Sequence, residues 1–171
     1  VTPLIDFVNL MTYDLVNGYA TVTGHHTPLH DYLPGQESTS KCVNWLINKK
    51  VPAKKLIIGA AMYARVWENV PNNNNGLYQD GKFKQGLSYS LFTKFFSDTA
   101  GFKYYWDSDA KAPYYYSATK KLFATFDDKR SIQEKTGYIR NKKLGGIMFW
   151  ELPDDLKKDG LVDEMSRGLK N

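Results

Sequence analysis

Three short stretches carry the residues best suited to chemistry: Met11-Thr12-Tyr13-Asp14, Tyr63-Ala64-Arg65 and Met148-Phe149-Trp150-Glu151. Each closes an apolar run. Together they offer a phenol, a carboxylate, a guanidinium, thioethers and an indole. Such a set suits a sugar. An indole stacks on the apolar face of a pyranose, while a phenol and a carboxylate hydrogen-bond its hydroxyl and amide groups. His25, His26 and His30 raise the question of a metal. No carboxylate stands at a ligand-like helical spacing from them, so they read as solvated or hydrogen-bonded histidines, and no metal site is expected. Glu151 reads as a local structural partner beside Trp150.

The elements that must position these residues follow from periodicity. Leu4 to Tyr13 is apolar on both faces, as in a buried strand of a parallel sheet. Leu56 to Tyr63 and Gly145 to Trp150 read as two more buried strands. Ser38 or Thr39 caps a helix reaching about Lys50, with Val43, Leu46 and Ile47 on one face and Pro52 closing it. Asp128 caps a second helix to about Lys143, although Ser131 and Glu134 also match a capping box. Ile132, Tyr138 and Ile139 form its inner face, and Gly160 to Lys170 is a terminal helix. Residues 18–35 form a loop rich in Gly, Pro and His.

Between Phe83 and Phe126 the chain is dense in aromatic residues. Phe102 to Trp106 and Tyr114 to Tyr116 predict a hairpin, and Leu91 to Phe96 a short helix. Trp67, Trp106 and Tyr114 to Tyr116 either extend a sugar-binding wall or pack a small core. Without this block the order is strand, helix, strand, helix, strand, helix. That order means parallel strands with crossover helices, whose sites form at the carboxyl ends of the strands. Three strands do not close a barrel of eight, and they leave an exposed edge.

Composition excludes several classes. The 171 residues are 42% hydrophobic, 15% aromatic and 24% charged, enough for a packed core and unlike a disordered tail. The apolar run from Leu56 to Ala64 is far short of the roughly 20 residues of a membrane span. The opening Val1-Thr2-Pro3-Leu4-Ile5-Asp6 has none of the features of a leader peptide. A single cysteine, Cys42, excludes an internal disulfide and a cysteine-rich zinc site, and reads as a small apolar side chain on a helix. The net charge of +5 is spread over lysine pairs along the chain and is not gathered into one stripe, so no nucleic-acid partner is expected.

In this order and spacing the motifs resemble family 18 glycoside hydrolases, the chitinases. The three stretches fall on barrel strands six, seven and eight of that family. His25-His26-Thr27-Pro28-Leu29 is similar to its loop after strand six, and Phe126 to Ser131 to its lead into the helix before strand eight. The resemblance implies a partial (β/α)8 TIM barrel, an α/β fold made of its last three βα units. Residues 1–65 and 124–171 would belong to the barrel and 66–123 to an inserted small α+β domain. Two departures stand out: the family usually has Gly at Ala64 and often Pro at Lys129.

The resemblance also implies roles. Tyr13 and Asp14 would be the catalytic residues, Tyr13 holding the acetamido carbonyl at the cleavage point and Asp14 nearby sugar hydroxyls. Met11 would line the acetyl pocket, with Met148 also in contact, and Trp150 would floor the site. Tyr63 and Arg65 would contact the neighbouring sugar on the leaving side. The implied partners are chitin or N-acetylglucosamine oligosaccharides, without a cofactor, in a secreted or cell-envelope protein. Catalysis in this family is substrate-assisted: the acetamido oxygen attacks the anomeric carbon. The general acid comes from an Asp-x-x-Asp-x-Asp-x-Glu motif on strand four, and no Asp or Glu here has that spacing. The expectation is therefore a truncated barrel whose amino-terminal part lies elsewhere, with a non-catalytic chitinase-like lectin as the alternative.

Overall fold

The computed structural model describes residues 2–31 and 33–170, except the side chain of Thr2. Val1, at the head of the expected first barrel segment, and Tyr32, within the expected loop, lie outside the described residues. In chain order the elements are β1 (Val8–Leu10), α1 (Thr39–Asn48), β2 (Leu56–Ala61), β3 (Tyr63–Glu68), β4 (Lys82–Ser88), α2 (Phe92–Phe95), β5 (Lys103–Asp107), β6 (Ala112–Ser117), β7 (Leu122–Thr125), α3 (Lys129–Lys142), β8 (Gly146–Trp150) and α4 (Leu161–Lys170). They form two sheets. One has three parallel strands in the order β1-β2-β8; the other has five in the order β4-β3-β7-β6-β5, all antiparallel.

The parallel sheet is built on β2, with β1 and β8 on its flanks. Gly59 permits this closeness, because a Cβ there would stand 2.7 Å from the Leu10 carbonyl oxygen. Helix α1 starts at Ser38, whose hydroxyl accepts from the Lys41 N–H at 3.1 Å. Val43 then packs with Leu10, Leu29, Leu56, Ile58 and Ile139. Cys42 is half-buried against the same core. Helix α3 starts at Asp128, which accepts from the Ser131 N–H at 2.8 Å while Ser131 Oγ accepts from the Asp128 N–H at 2.9 Å. That reciprocal pair settles which of the two candidate starts the helix uses. Helix α4 is capped by the buried carboxylate of Asp155, which accepts from Leu161 and Val162 N–H groups, both at 2.9 Å.

Two expectations are corrected. The first strand covers only Val8–Leu10 and not Leu4 to Tyr13. Leu4 and Phe7 are exposed, and pairing to β2 stops at Leu10, beyond which Thr12 N–H turns back to the Leu10 carbonyl. The apolar run from Leu56 to Ala64 is not one strand but two. At Met62 the chain leaves one sheet for the other: its N–H donates to Trp150 O and its C=O accepts from Tyr89 N–H, both at 2.8 Å. Tyr63 and Arg65 therefore begin β3 and do not end a parallel strand. The apolar pattern hides the switch, because residues on both sides of Met62 are buried.

The antiparallel sheet absorbs the aromatic block. The predicted hairpin forms, and its register pairs Tyr104 with Tyr115 and Tyr105 with Tyr114. Phe92, Phe96, Phe102 and Phe126 pack on one face. Trp67, Phe123, Tyr114 and Tyr116 pack on the other. Trp67 is fully buried and its indole N–H donates to Ala20 O at 2.9 Å, so it is core and not wall.

One buried ion pair ties these parts together. Lys135 Nζ of α3 lies 2.6 Å from Asp127 Oδ2, and neither side chain is exposed. The same carboxylate oxygen accepts from Ala61 N–H at 3.0 Å and from the Thr27 hydroxyl at 3.1 Å, while Ser131 donates to the other oxygen at 2.6 Å. Burial pulls the Lys135 ammonium below its ordinary range, and the Asp127 carboxylate opposes that pull. Lys135→Met should leave Asp127 charged and unpaired and cost about 3–5 kcal/mol in urea unfolding. The double variant Lys135→Met with Asp127→Asn should recover a measurable part of that loss; a double variant as unstable as the single one would refute the pairing account.

Candidate functional site

A cavity of about 450 Å³ opens where the two sheets meet, within the range of small-ligand sites. Met11, Tyr13 and Asp14 reach it from the segment after β1, Tyr63 and Arg65 from β3, and Trp150 from the end of β8. Six of the seven residues singled out from the sequence thus line one space. Met148, the seventh, is not a lining residue but lies behind Tyr13, whose hydroxyl donates to its sulfur at 3.9 Å.

Charge is arranged around Asp14. Its φ of 56° is left-handed, which aspartate tolerates better than most residues. Arg65 donates to both carboxylate oxygens, Nε to Oδ1 at 2.7 Å and Nη2 to Oδ2 at 2.6 Å. This two-pronged contact suits the planar guanidinium. The guanidinium also lies 4.9 Å from the Tyr63 ring centre. From behind, His26 Nδ1 accepts from the Asp14 N–H at 3.4 Å, and the imidazole packs 5.4 Å from the Tyr63 ring.

Burial alone would raise the Asp14 carboxyl, but the two hydrogen bonds from Arg65 and its charge hold it far below the usual range. Burial lowers His26, against the pull of Asp14 and Asp127. A neutral imidazole matches its acceptor role at Nδ1, and the proton then sits on Nε2, a buried atom without a hydrogen-bond partner among the described residues. Burial, helped by the Asp14 charge, raises both Tyr13 and Tyr63. Both phenols are therefore protonated donors at neutral pH. Among the described residues Tyr13 has only a thioether as acceptor, a weak partner that a ligand carbonyl can replace.

Trp150 is 56% exposed and Met11 71% exposed. An exposed indole beside protonated phenols can stack a ring and hydrogen-bond its substituents. The sequence reading did not find Ser88 and Asp154, which complete the wall. Ser88 lies opposite Tyr63 in the β3–β4 register, and its hydroxyl donates to Asp154 Oδ1 at 2.6 Å. The only signal for Asp154 was its place one turn past Trp150. His26 was noticed, but its place behind Asp14 comes from the loop's path. His25 lies elsewhere, 2.9 Å from Asp107; burial raises that carboxyl, but its bonds to His25 and to the Ala110 and Asp109 N–H groups together lower it to about 2. Glu151 is exposed and outside the cavity, and its carbonyl accepts from the Asp154 N–H. No group of three or more His, Cys, Asp or Glu side chains among the described residues is arranged to hold a metal.

Comparison with known proteins adds an independent line. The profile of the glycosyl hydrolases family 18 matches residues 1–155. Chitinase A1 of Niallia circulans is 32% identical over 92% of this chain and 25% of its own length. A family 18 N-acetylglucosaminidase from Paenibacillus barengoltzii superposes with a TM-score of 0.90 at 39% identity, over 99% of this chain and 50% of that one. The chitinase-like agglutinin of Robinia pseudoacacia superposes with a TM-score of 0.83 at 27% identity, over 98% of this chain and 48% of that one. The chain spans half or less of the length of each of these relatives. Its parallel sheet is an arc of their TIM barrel.

The lowered Asp14 carboxyl has a pH consequence. Its contribution to stability is complete above the unfolded value of about 3.9 and is lost as pH falls toward the lower folded value. Arg65→Gln should raise the Asp14 titration midpoint, followed by carboxyl NMR, and should lower stability at neutral pH. The stability gap from wild type should narrow with acid; a gap independent of pH would refute the pairing.

Proposed function

The chain belongs to family 18 of the glycosyl hydrolases, and on that premise we propose that it forms the sugar-positioning part of a protein that hydrolyses β-1,4 N-acetylglucosamine linkages. The observation that carries this reading is the convergence of the Tyr13 hydroxyl, the Asp14–Arg65 pair and the Trp150 indole on one cavity. Residues 1–65 and 124–171 serve as the carboxyl-terminal part of the barrel and 66–123 as the inserted α+β domain, with β3 and β7 of the antiparallel sheet crossing the two boundaries.

In this reading Trp150 stacks under the N-acetylglucosamine at the cleavage point, and Met11 lines the pocket for its acetyl methyl. Tyr13 exchanges the Met148 sulfur for the acetamido carbonyl and holds it as its oxygen attacks the anomeric carbon. The cyclic oxazolinium ion that forms is cationic, and the Asp14 carboxylate, ionised throughout the neutral range, supplies a nearby negative charge. Tyr63 and Arg65 contact the neighbouring sugar. A general acid must still protonate the leaving oxygen. No carboxylate in the 171 residues has the spacing of the family's acid motif, so this chain supplies binding and not proton transfer. The partners are chitin or its oligosaccharides and the amino-terminal part of the barrel. An extracellular or cell-envelope location follows, since a polysaccharide is too large and polar to cross a bilayer. No helix among the described residues is long and apolar enough to span a membrane.

The likeness to an agglutinin gives a second reading, a chitin-oligomer-binding protein without turnover. The residue at the acid position of the strand-four motif discriminates: Glu favours the enzyme, a neutral residue the lectin. The 171-residue chain alone should not hydrolyse a chromogenic chitobioside. Where the acid motif is present, Tyr13→Phe should lower kcat about 10²–10³-fold, the usual loss of one oxyanion-type donor. Turnover by the isolated chain that disappears in Tyr13→Phe would contradict this division of labour.

A further inference from the structure

The charged lining of the cavity does not balance. It comprises two carboxylates, Asp14 and Asp154, and one guanidinium, Arg65. Arg65 is committed to Asp14 through two hydrogen bonds. His26, on the far side of Asp14, is a buried imidazole that accepts the Asp14 N–H and adds no full charge. Asp154 therefore faces the cavity without a cation among the described residues. Its Oδ1 accepts from Ser88 at 2.6 Å, and its Oδ2 has no partner among the described residues. The Ser88 bond fixes the carboxylate at the level of Tyr63, because Ser88 and Tyr63 are cross-strand neighbours.

We propose that Asp154 is a specificity residue that selects a sugar bearing a free, protonated amine, so that the preferred ligand is partially deacetylated chitin. This rests on the reading of the cavity as an amino-sugar site. An acetamido group offers a carboxylate one neutral N–H. An ammonium offers three donors and a full charge, and charge-assisted hydrogen bonds are about twice as strong as neutral ones. The deacetylated unit cannot be the one held by Tyr13, because Tyr13 needs the acetyl carbonyl as its acceptor. The amine therefore belongs to the adjacent sugar, on the side where Asp154 and Ser88 close the wall.

Calorimetric titration of the full chain tests this with three disaccharides: fully acetylated chitobiose and the two mixed isomers carrying one glucosamine. The pH is set so that the amine is protonated. One mixed isomer should bind roughly fivefold more tightly than the acetylated one. The ratio should shrink as salt is raised, since the pair is partly solvated. Asp154→Asn should bring the ratio close to one, and Asp154→Lys should invert it. Equal affinities in the wild type, a ratio insensitive to salt, or a ratio unchanged in Asp154→Asn would each overturn the assignment while leaving the sugar site standing. No binding of any of the three would overturn both. The wild-type ratio and its salt dependence decide the matter even where a variant fails to fold.

Discussion

The carboxylate of Asp127 is the point on which the architecture turns. It is buried, so each oxygen must be satisfied or the group becomes costly. Lys135 and Ser131 of α3, Ala61 of β2 and Thr27 of the loop after β1 meet that need from three different segments. Ala61 is the last residue of β2 before the chain changes sheets at Met62. Thr27 lies in the long loop after β1, one residue from the His26 that backs Asp14. Asp127 itself follows β7, where the antiparallel sheet returns the chain to the barrel. One ion pair thus sets the join between the two sheets and the path of the loop behind the site. Such a pair is weak evidence for added stability; its value here is geometric.

The cavity follows from that join. The parallel sheet delivers Tyr13, Asp14 and Trp150, and the antiparallel sheet delivers Tyr63, Arg65 and Ser88. They face one another because β3 leaves β2 after a single residue. The Asp14–Arg65 pair spans the two sheets, so it serves both as a contact between them and as part of the candidate site. Arg65 keeps Asp14 ionised against the pull of burial, and the pair's half-buried position leaves room for a ligand beside it. The aromatic block plays a different part. Most of its rings pack one another, and Trp67 and Phe123 are fully buried. The block is a rigid support for β3 and β4, more than an extended binding wall.

Much of this was legible in the chain. The helices near Ser38, Asp128 and Gly160, the hairpin around Asp107 and the parallel order could all be read from capping residues and apolar runs. Those signals are local and survive in any context. Most candidate site residues were also legible, because they end apolar runs with side chains that have no packing reason to be there. Asp154 and Ser88 were not legible. The first of two aspartates after Pro153 and a serine at a strand end are ordinary turn residues, and only their meeting in space gives them meaning.

Residue order alone determined that three βα units with an aromatic insertion are present, and that a phenol, a carboxylate, a guanidinium and an indole occupy their ends. It did so because capping and periodicity depend on neighbours a few positions away. The tertiary structure decided that β2 and β3 are separate strands, that Lys135 is buried against Asp127, and that Asp154 faces the cavity with no cation beside it among the described residues. Those outcomes depend on contacts between residues far apart in the chain. A continuous apolar run carries no mark of where it changes sheets, and a charge carries no mark of the partner it meets in space.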